Sequence, residues 1–113
     1  MEENFCPVHA ALDLLQEKWN LHIIRALLER PHGFNDLSRA VGGVNAATLS
    51  VRLEKLEERG IISRTVESVM PPRTRYELTI AGRELHGVID LVAAWVKRHP
   101  ETVEADSAAA QAV

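Results

Sequence analysis

The chain has 113 residues, of which 46% are hydrophobic, and a formal net charge of −3. This length suffices for one hydrophobic core but not for two. No run of roughly 18 apolar residues occurs, and the start MEENFCP lacks the basic and apolar segments of a signal peptide. We therefore expect a cytoplasmic protein with no membrane contact. A single cysteine excludes a disulfide framework within the chain, and no CxxC or HExxH spacing predicts a metal site or cofactor.

The first two predicted helices precede Pro31. Helix one begins at Pro7, with Cys6 at the N-cap position, and the spacing of Val8, Leu12 and Leu15 predicts one buried stripe. The next segment, WNLHIIRALLERP, is apolar on nearly all sides and ends at the proline. That pattern is typical of a central helix that packs against several neighbours.

A helix-turn-helix and a β-hairpin follow. FNDLSRAV has amphipathic helical spacing and ends at Gly42 and Gly43, after which Asn45 is a good N-cap for a helix whose leucines share one face. These leucines are Leu49, Leu53 and Leu56. Beyond Gly60, IISRTVESV and TRYELT read as two strands separated by MPP, with Arg73 and Arg75 flanking the second. The predicted fold is mainly α with a small hairpin (α+β), the order of a winged helix-turn-helix.

The helix after Asn45 begins with unusually small side chains. A helix that enters the major groove needs short side chains in its leading turns, so that its backbone approaches the base edges. We therefore predict that this helix and the hairpin form a DNA-binding surface. The predicted DNA contacts are Asn45, Ala47, Thr48, Ser50, Val51, Arg52, Arg73 and Arg75.

The charge pattern leaves an alternative open. The segment from Phe34 to Arg75 contains seven basic and five acidic residues, a modest local excess of +2. On periodicity alone, the mixed charges of the helix after Asn45 are equally typical of a solvated face with weak ion pairs. A winged helix that serves as a protein-interaction or architectural module would share this fold without the groove contacts.

Several motifs together resemble the HxlR-type winged helix-turn-helix transcriptional regulators, relatives of the MarR group. The shared motifs are CPV, KW, FNDL, TLSVRLEKLEERGIISR, PPRTRYELT and a late tryptophan. The resemblance implies a homodimeric bacterial DNA-binding protein that binds a palindromic operator and usually represses, and sometimes activates, a nearby operon. It also implies, as in some members, that Cys6 senses electrophiles or oxidants. The chain departs from the family pattern at QEKW, where GGKW is usual, and at VNAAT, where serine and lysines are common.

The last predicted helix supports dimerisation independently. Its apolar positions cover roughly 160° of the helical wheel, wider than the ~100° stripe that one core requires. The surplus predicts a partner surface, although a helix sunk deep in its own domain would show the same pattern. The predicted interface residues are Val8, Leu12, Leu85, Val88, Ile89, Val92 and Trp95.

Cys6 also has a physical reason to react. A thiol at a helix N-terminus lies near unpaired N–H groups and the positive end of the helix dipole, which favours the thiolate. Against this, Glu2 and Glu3 are negatively charged, and free cysteines often serve as small buried apolar residues. With no second cysteine, oxidation would end in a disulfide between two subunits or with a small thiol.

The last helix also carries possible metal ligands. His86, Asp90 and His99 allow a metal-responsive repressor, but Arg83 and Lys97 on the same face would repel a cation. No nucleophile, base and orienting group share a recognisable spacing, so we predict no enzymatic activity.

Residues 1–99 are expected to form the DNA-binding and dimerisation domain, and residues 100–113 a disordered tail rich in alanine and acidic residues.

Overall fold

The computed structural model describes residues Cys6–Val103. It consists of five helices and a three-stranded antiparallel sheet, which confirms the predicted winged helix-turn-helix. In chain order the elements are α1 (Pro7–Gln16), α2 (Asn20–Glu29), β1 (His32–Gly33), α3 (Phe34–Val41), α4 (Ala46–Glu58), β2 (Ile62–Val69), β3 (Pro72–Leu78) and α5 (Ile80–Arg98). The chain divides into two compact units, one that ends at Arg83 and one that begins at Glu84, within α5.

The core of the first unit is built from α2, α3, α4 and the sheet. As predicted, α2 is central, because Ile23, Ile24 and Leu27 are all buried. The three predicted leucines of α4 are also buried. Leu37 is the buried residue of α3, and Phe34 and Val41, which lie on the same apolar face of this amphipathic helix, are partly exposed.

The predicted burial of α1 is wrong for the single chain. None of the residues of α1 is buried, and Val8 and Leu12 are 67% and 54% exposed. The spacing correctly placed these apolar residues on one face of α1. The core, however, is formed by other elements, so this face stays exposed. Leu15 is half-buried.

The turn between α3 and α4 follows the predicted chemistry. Gly42 and Gly43 have φ angles of 74° and 79°, a left-handed region that glycine adopts without steric strain. Asn45 then caps α4, since its Oδ1 accepts a hydrogen bond from the Thr48 N–H at 2.8 Å. This cap sets the first exposed turn of the helix.

The predicted hairpin is present, and it belongs to a sheet with strand order β1-β3-β2. The sequence did not reveal β1, whose residues His32 and Gly33 pair with Tyr76 and Arg75. Arg73 and Arg75 lie within β3 rather than beside it, because the strand begins at Pro72. Proline is tolerated at the first position of a strand, where no ladder donor is required.

The C-terminal region differs in part from the predicted tail. Helix α5 ends at Arg98, before Pro100, but residues 101–103 form a helical turn instead of disordered chain. The Thr102 hydroxyl donates to the His99 carbonyl at 2.7 Å and so closes this turn. Residues 104–113 of the predicted tail lie outside the described residues. Among residues 6–103, no helix is long and apolar enough to cross a membrane.

Candidate DNA-binding surface

The leading turns of α4 present small side chains to solvent. Ala46, Ala47 and Ser50 are exposed, Val51 is also exposed, and Thr48 is partly exposed. The leucine face on the other side of the helix holds α4 against the core. The helix therefore offers an N-terminal surface on which no long side chain prevents close approach of another molecule.

Arg52 has a different environment from the predicted one. Its Nη1 lies 2.8 Å from Glu17 Oε1, and the side chains of Arg52 and Glu17 are 22% and 41% exposed. Its Nε is buried and has no hydrogen-bond partner among the described residues. Arg52 thus connects α4 to the segment between α1 and α2, and its contact with DNA stays a prediction. Sequence spacing identified the helix face but not the carboxylate that lies across from it.

The arginines of the hairpin differ in how far they are neutralised. Arg75 Nη1 lies 3.4 Å from Glu67 Oε2, and Arg75 Nε lies 3.9 Å from Glu77 Oε1. Arg73 is exposed and forms no ion pair within residues 6–103. Lys55 and Arg59 of α4 are likewise exposed and without an ion pair in that part of the chain. Among the described cations of α4 and the hairpin, these three have no carboxylate partner, whereas Arg52, Arg64 and Arg75 each have one.

A charged cluster at the start of α3 was not predicted. Asp36 accepts a hydrogen bond from Arg30 at 2.8 Å, lies 3.0 Å from His32 Nδ1, and pairs more loosely with Arg39 at 3.4 Å. The hydrogen bond from Arg30, followed by that from His32, holds the pKa of Asp36 below its ordinary value. The only sequence signal was the i, i+4 spacing of His32 and Asp36, which is common on its own.

His32 joins this cluster to the core. Its ring is buried, with Nε2 3.2 Å from the Ala26 carbonyl oxygen, and its backbone pairs with Tyr76 of β3. The two ring nitrogens thus face the Asp36 carboxylate and the Ala26 carbonyl oxygen. His32 therefore links α2, α3 and the sheet. Next to it, an open cleft of about 440 Å³ runs between residues 30–36 and the outer half of the hairpin.

Cys6 is exposed and occupies the N-cap position of α1, as predicted. Its side chain makes no capping hydrogen bond, whereas its carbonyl oxygen accepts one from the Ala10 N–H at 3.0 Å. The thiol is therefore accessible to small reagents. Pro7 at the first helical position matches the sequence reading.

The predicted interface residues leave apolar surface uncovered on each of two helices. On α1 these are Val8 and Leu12. On α5, Val88, Val92 and Trp95 are exposed, while Leu85 and Ile89 are partly exposed. Leu91, which was not among the predicted interface residues, is exposed as well.

The residues of the metal alternative do not gather into one site. His86 Nδ1 lies 3.1 Å from Asp90 Oδ2, whereas His99 Nδ1 faces Glu101 Oε2 at 3.7 Å. Across residues 6–103, no three histidine, cysteine or acidic side chains are grouped as metal ligands would be.

Comparison with known proteins matches this arrangement to one family. The family described as "HxlR-like helix-turn-helix" matches residues 14–104. An uncharacterized HTH-type transcriptional regulator of Synechocystis, sll1512, is 38% identical over 86 residues, which are 76% of this chain and 64% of that protein. YtfH of Escherichia coli, also an uncharacterized HTH-type transcriptional regulator, is 34% identical over 92 residues, 81% of this chain and 73% of YtfH.

The transcriptional regulator YodB of Bacillus subtilis is similar in sequence and in structure. Its reduced form superposes with a TM-score of 0.75 at 30% identity, covering 84% of this chain and 94% of YodB. The diamide-treated form gives a TM-score of 0.70 at 30% identity, with 85% and 96% covered. The quinone-bound form gives 0.73 at 29% identity, with 83% and 99% covered.

Proposed function

Because the chain belongs to the HxlR-like helix-turn-helix family of transcriptional regulators, we propose that it binds a palindromic operator in double-stranded DNA as a homodimer and represses transcription. The observation that carries the proposal is the exposed, capped N-terminal end of α4, with its run of small side chains. The proposed activity requires no cofactor and belongs in the cytoplasm, where bacterial DNA is found.

The geometry of α4 suits the major groove. Ala46 and Ala47 let the backbone approach, Thr48 and Ser50 supply hydroxyl groups for base edges or phosphates, and Val51 supplies a methyl surface. The amide of Asn45 remains available to a phosphate, although its Oδ1 is used by the cap. The unpaired cations named above supply the sequence-independent part of the affinity through phosphate contacts.

The exposed apolar surfaces support a homodimer. Large apolar side chains left in water on α1 and on α5 are typical of a subunit interface. A two-fold dimer also places two recognition helices about 34 Å apart, one turn of DNA. Doubling the phosphate contacts in this way offsets the modest basic charge of one subunit.

The proposal is tested by selecting fragments of the host genome on the purified protein. A matched pair of variants then assigns the surface: Ala47→Gln adds a long neutral side chain to the leading turn of α4, and Ala40→Gln adds the same group to an exposed position in α3. We expect Ala47→Gln to weaken binding of the selected fragment about tenfold or more, which is ~1.4 kcal/mol. Ala40→Gln should bind like the parent. Equal binding by all three proteins would contradict the assignment of α4.

We also propose that Cys6 makes the regulator responsive to oxidants or electrophiles. Support comes from the exposed thiol and from the likeness to YodB, which has been solved in diamide-treated and quinone-bound forms. Two thiols, from two subunits or from one subunit and a small thiol, would lose two electrons and two protons to diamide and form a disulfide. Such a bond would change the position of α1 and thereby the DNA affinity.

Cys6→Ser decides this part of the proposal. The variant should bind the selected fragment like the parent but should no longer change its affinity after diamide treatment. Complete modification of the parent thiol, measured by mass spectrometry, with no change in DNA affinity would contradict the sensing role. DNA binding itself would remain supported in that case.

A further inference from the structure

The tip of the hairpin carries apolar side chains directed into solvent. Val69 and Met70 are 78% and 88% exposed, and Pro71 and Pro72 beside them are also exposed. Val66, near the irregularity in the pairing of β2 with β3, is exposed as well. Together Val66 and Val69–Pro72 form a surface that we call the wing tip.

The wing tip does not contribute to the core. The buried side chains of the hairpin, Ile62, Tyr76 and Leu78, all lie at its opposite end. A turn in solvent is ordinarily rich in glycine, proline, asparagine, aspartate and serine rather than in valine or methionine. The exposed apolar side chains of the wing tip are contiguous, and contiguous exposed apolar surface is a feature of sites that bind a partner.

The charges around the wing tip favour a polyanionic partner. Near the wing tip the charged residues are Glu67, Arg73 and Arg75, and Glu67 Oε2 lies 3.4 Å from Arg75 Nη1, which leaves Arg73 as the uncompensated charge. Arg73 is exposed and has no ion pair within the described residues. An apolar tip next to an unpaired arginine suits double-stranded DNA, which has phosphates at the edge of its grooves and stacked bases inside.

We propose that Met70 at the wing tip wedges between two base pairs from the minor groove, so that the regulator bends its operator. This inference rests on the proposed function and specifies how the bound DNA is shaped. Methionine and proline are among the residues that unstack a base step in this way and kink the duplex by about 20–90°. A flexible pyrimidine–purine step is the expected position, since it unstacks most easily.

The experiment uses the genomic fragment that the parent protein selects, with 2-aminopurine substituted for adenine at successive positions. This base fluoresces more strongly when it is unstacked, so saturating protein should raise the signal at one step in each half-site. Bending is measured in parallel by gel mobility of circularly permuted fragments. Met70→Ser should lose most of the fluorescence rise and of the bend, whereas Met70→Leu should keep both.

Two further variants separate the wedge from other effects. Ile80→Ser removes another exposed apolar side chain, outside the hairpin, and should keep the fluorescence rise and the bend. Arg73→Ala should weaken binding and lower the salt slope by about one phosphate contact, yet keep the fluorescence rise at saturation.

The outcomes also distinguish this inference from the proposed function. A fragment that is bound tightly but gives no fluorescence rise at any position would overturn the wedge and leave DNA binding intact. A rise that persists in Met70→Ser would overturn the role of Met70. Failure to retain any fragment would overturn both proposals.

Discussion

The ion pair between Arg52 and Glu17 allows two opposite expectations for one substitution. If Arg52 positions α4, then Glu17→Gln removes its partner, loosens the helix and weakens DNA binding. If Arg52 instead contacts DNA and Glu17 competes for it, the same substitution releases the arginine and strengthens binding. The structure favours the first, because Arg52 Nη1 lies 2.8 Å from Glu17 and Arg52 Nε is already buried.

The magnitude follows from the exposure of the pair. Both side chains keep some contact with water, so their interaction belongs near the upper end of the ~0.2–1 kcal/mol measured for exposed pairs. If the full value of about 1 kcal/mol is lost from the binding of each protomer, the dissociation constant rises about fivefold per protomer and about 30-fold for a dimer. Smaller losses are expected in proportion, but the sign does not change.

Fluorescence anisotropy with the selected fragment, over a range of salt concentrations, measures both the affinity and the salt slope. Glu17→Gln should lower the DNA affinity and leave the salt slope unchanged, and Arg52→Ala should do the same. The variant that combines both substitutions should lose no more affinity than either one alone, because both remove the same ion pair. Glu29→Gln is the matched control, an exposed glutamate with no ion pair among residues 6–103. Tighter binding by Glu17→Gln than by the parent and the control would refute the positioning role.

Four further substitutions have outcomes that the structure predicts. A Cβ at Gly82 would collide with the Ile61 carbonyl oxygen, so Gly82→Ala should cost about 1–3 kcal/mol and lower Tm. In Gly87→Ala the new Cβ meets nothing within 4 Å, so the free energy of unfolding should rise by about 0.5–1 kcal/mol. Equal changes in Tm for Gly82→Ala and Gly87→Ala, measured by calorimetry, would contradict this account. Folding lowers the pKa of Asp36, so the ionised carboxylate stabilises the folded state above its unfolded pKa, and this stabilisation is lost as the pH falls through its folded pKa. In urea titrations, the free energy of unfolding of Asp36→Asn should therefore decrease less at acid pH than that of the parent. Charge placed on the exposed face of α5 by Val92→Glu should give a monomer in sedimentation and abolish operator binding, and a parent that is itself monomeric at micromolar concentration would disprove the dimer.

Local patterns were sufficient for much of the fold and for part of the site. The cap at Asn45, the glycine turn before it and the leucine face of α4 could all be read from spacing and side-chain chemistry. Each depends on interactions within a few residues, namely a hydrogen bond to the next turn, a permitted φ angle and a helical repeat. For the same reason, the sequence alone predicts the small residues at the start of α4, which the structure shows to be exposed or partly exposed.

The tertiary structure decided what lies opposite each face. Arg52 is predictably on the polar side of α4, but only folding brings Glu17, 35 positions earlier, within 2.8 Å of it. In the same way, His32 becomes a strand residue because Tyr76 supplies a partner from far along the chain. The stripe on α1 is apolar by sequence, yet it remains exposed because the core is formed by residues of other elements. A helical repeat determines which side chains share a face, whereas the contacts of that face depend on residues distant in sequence that only the folded chain brings together.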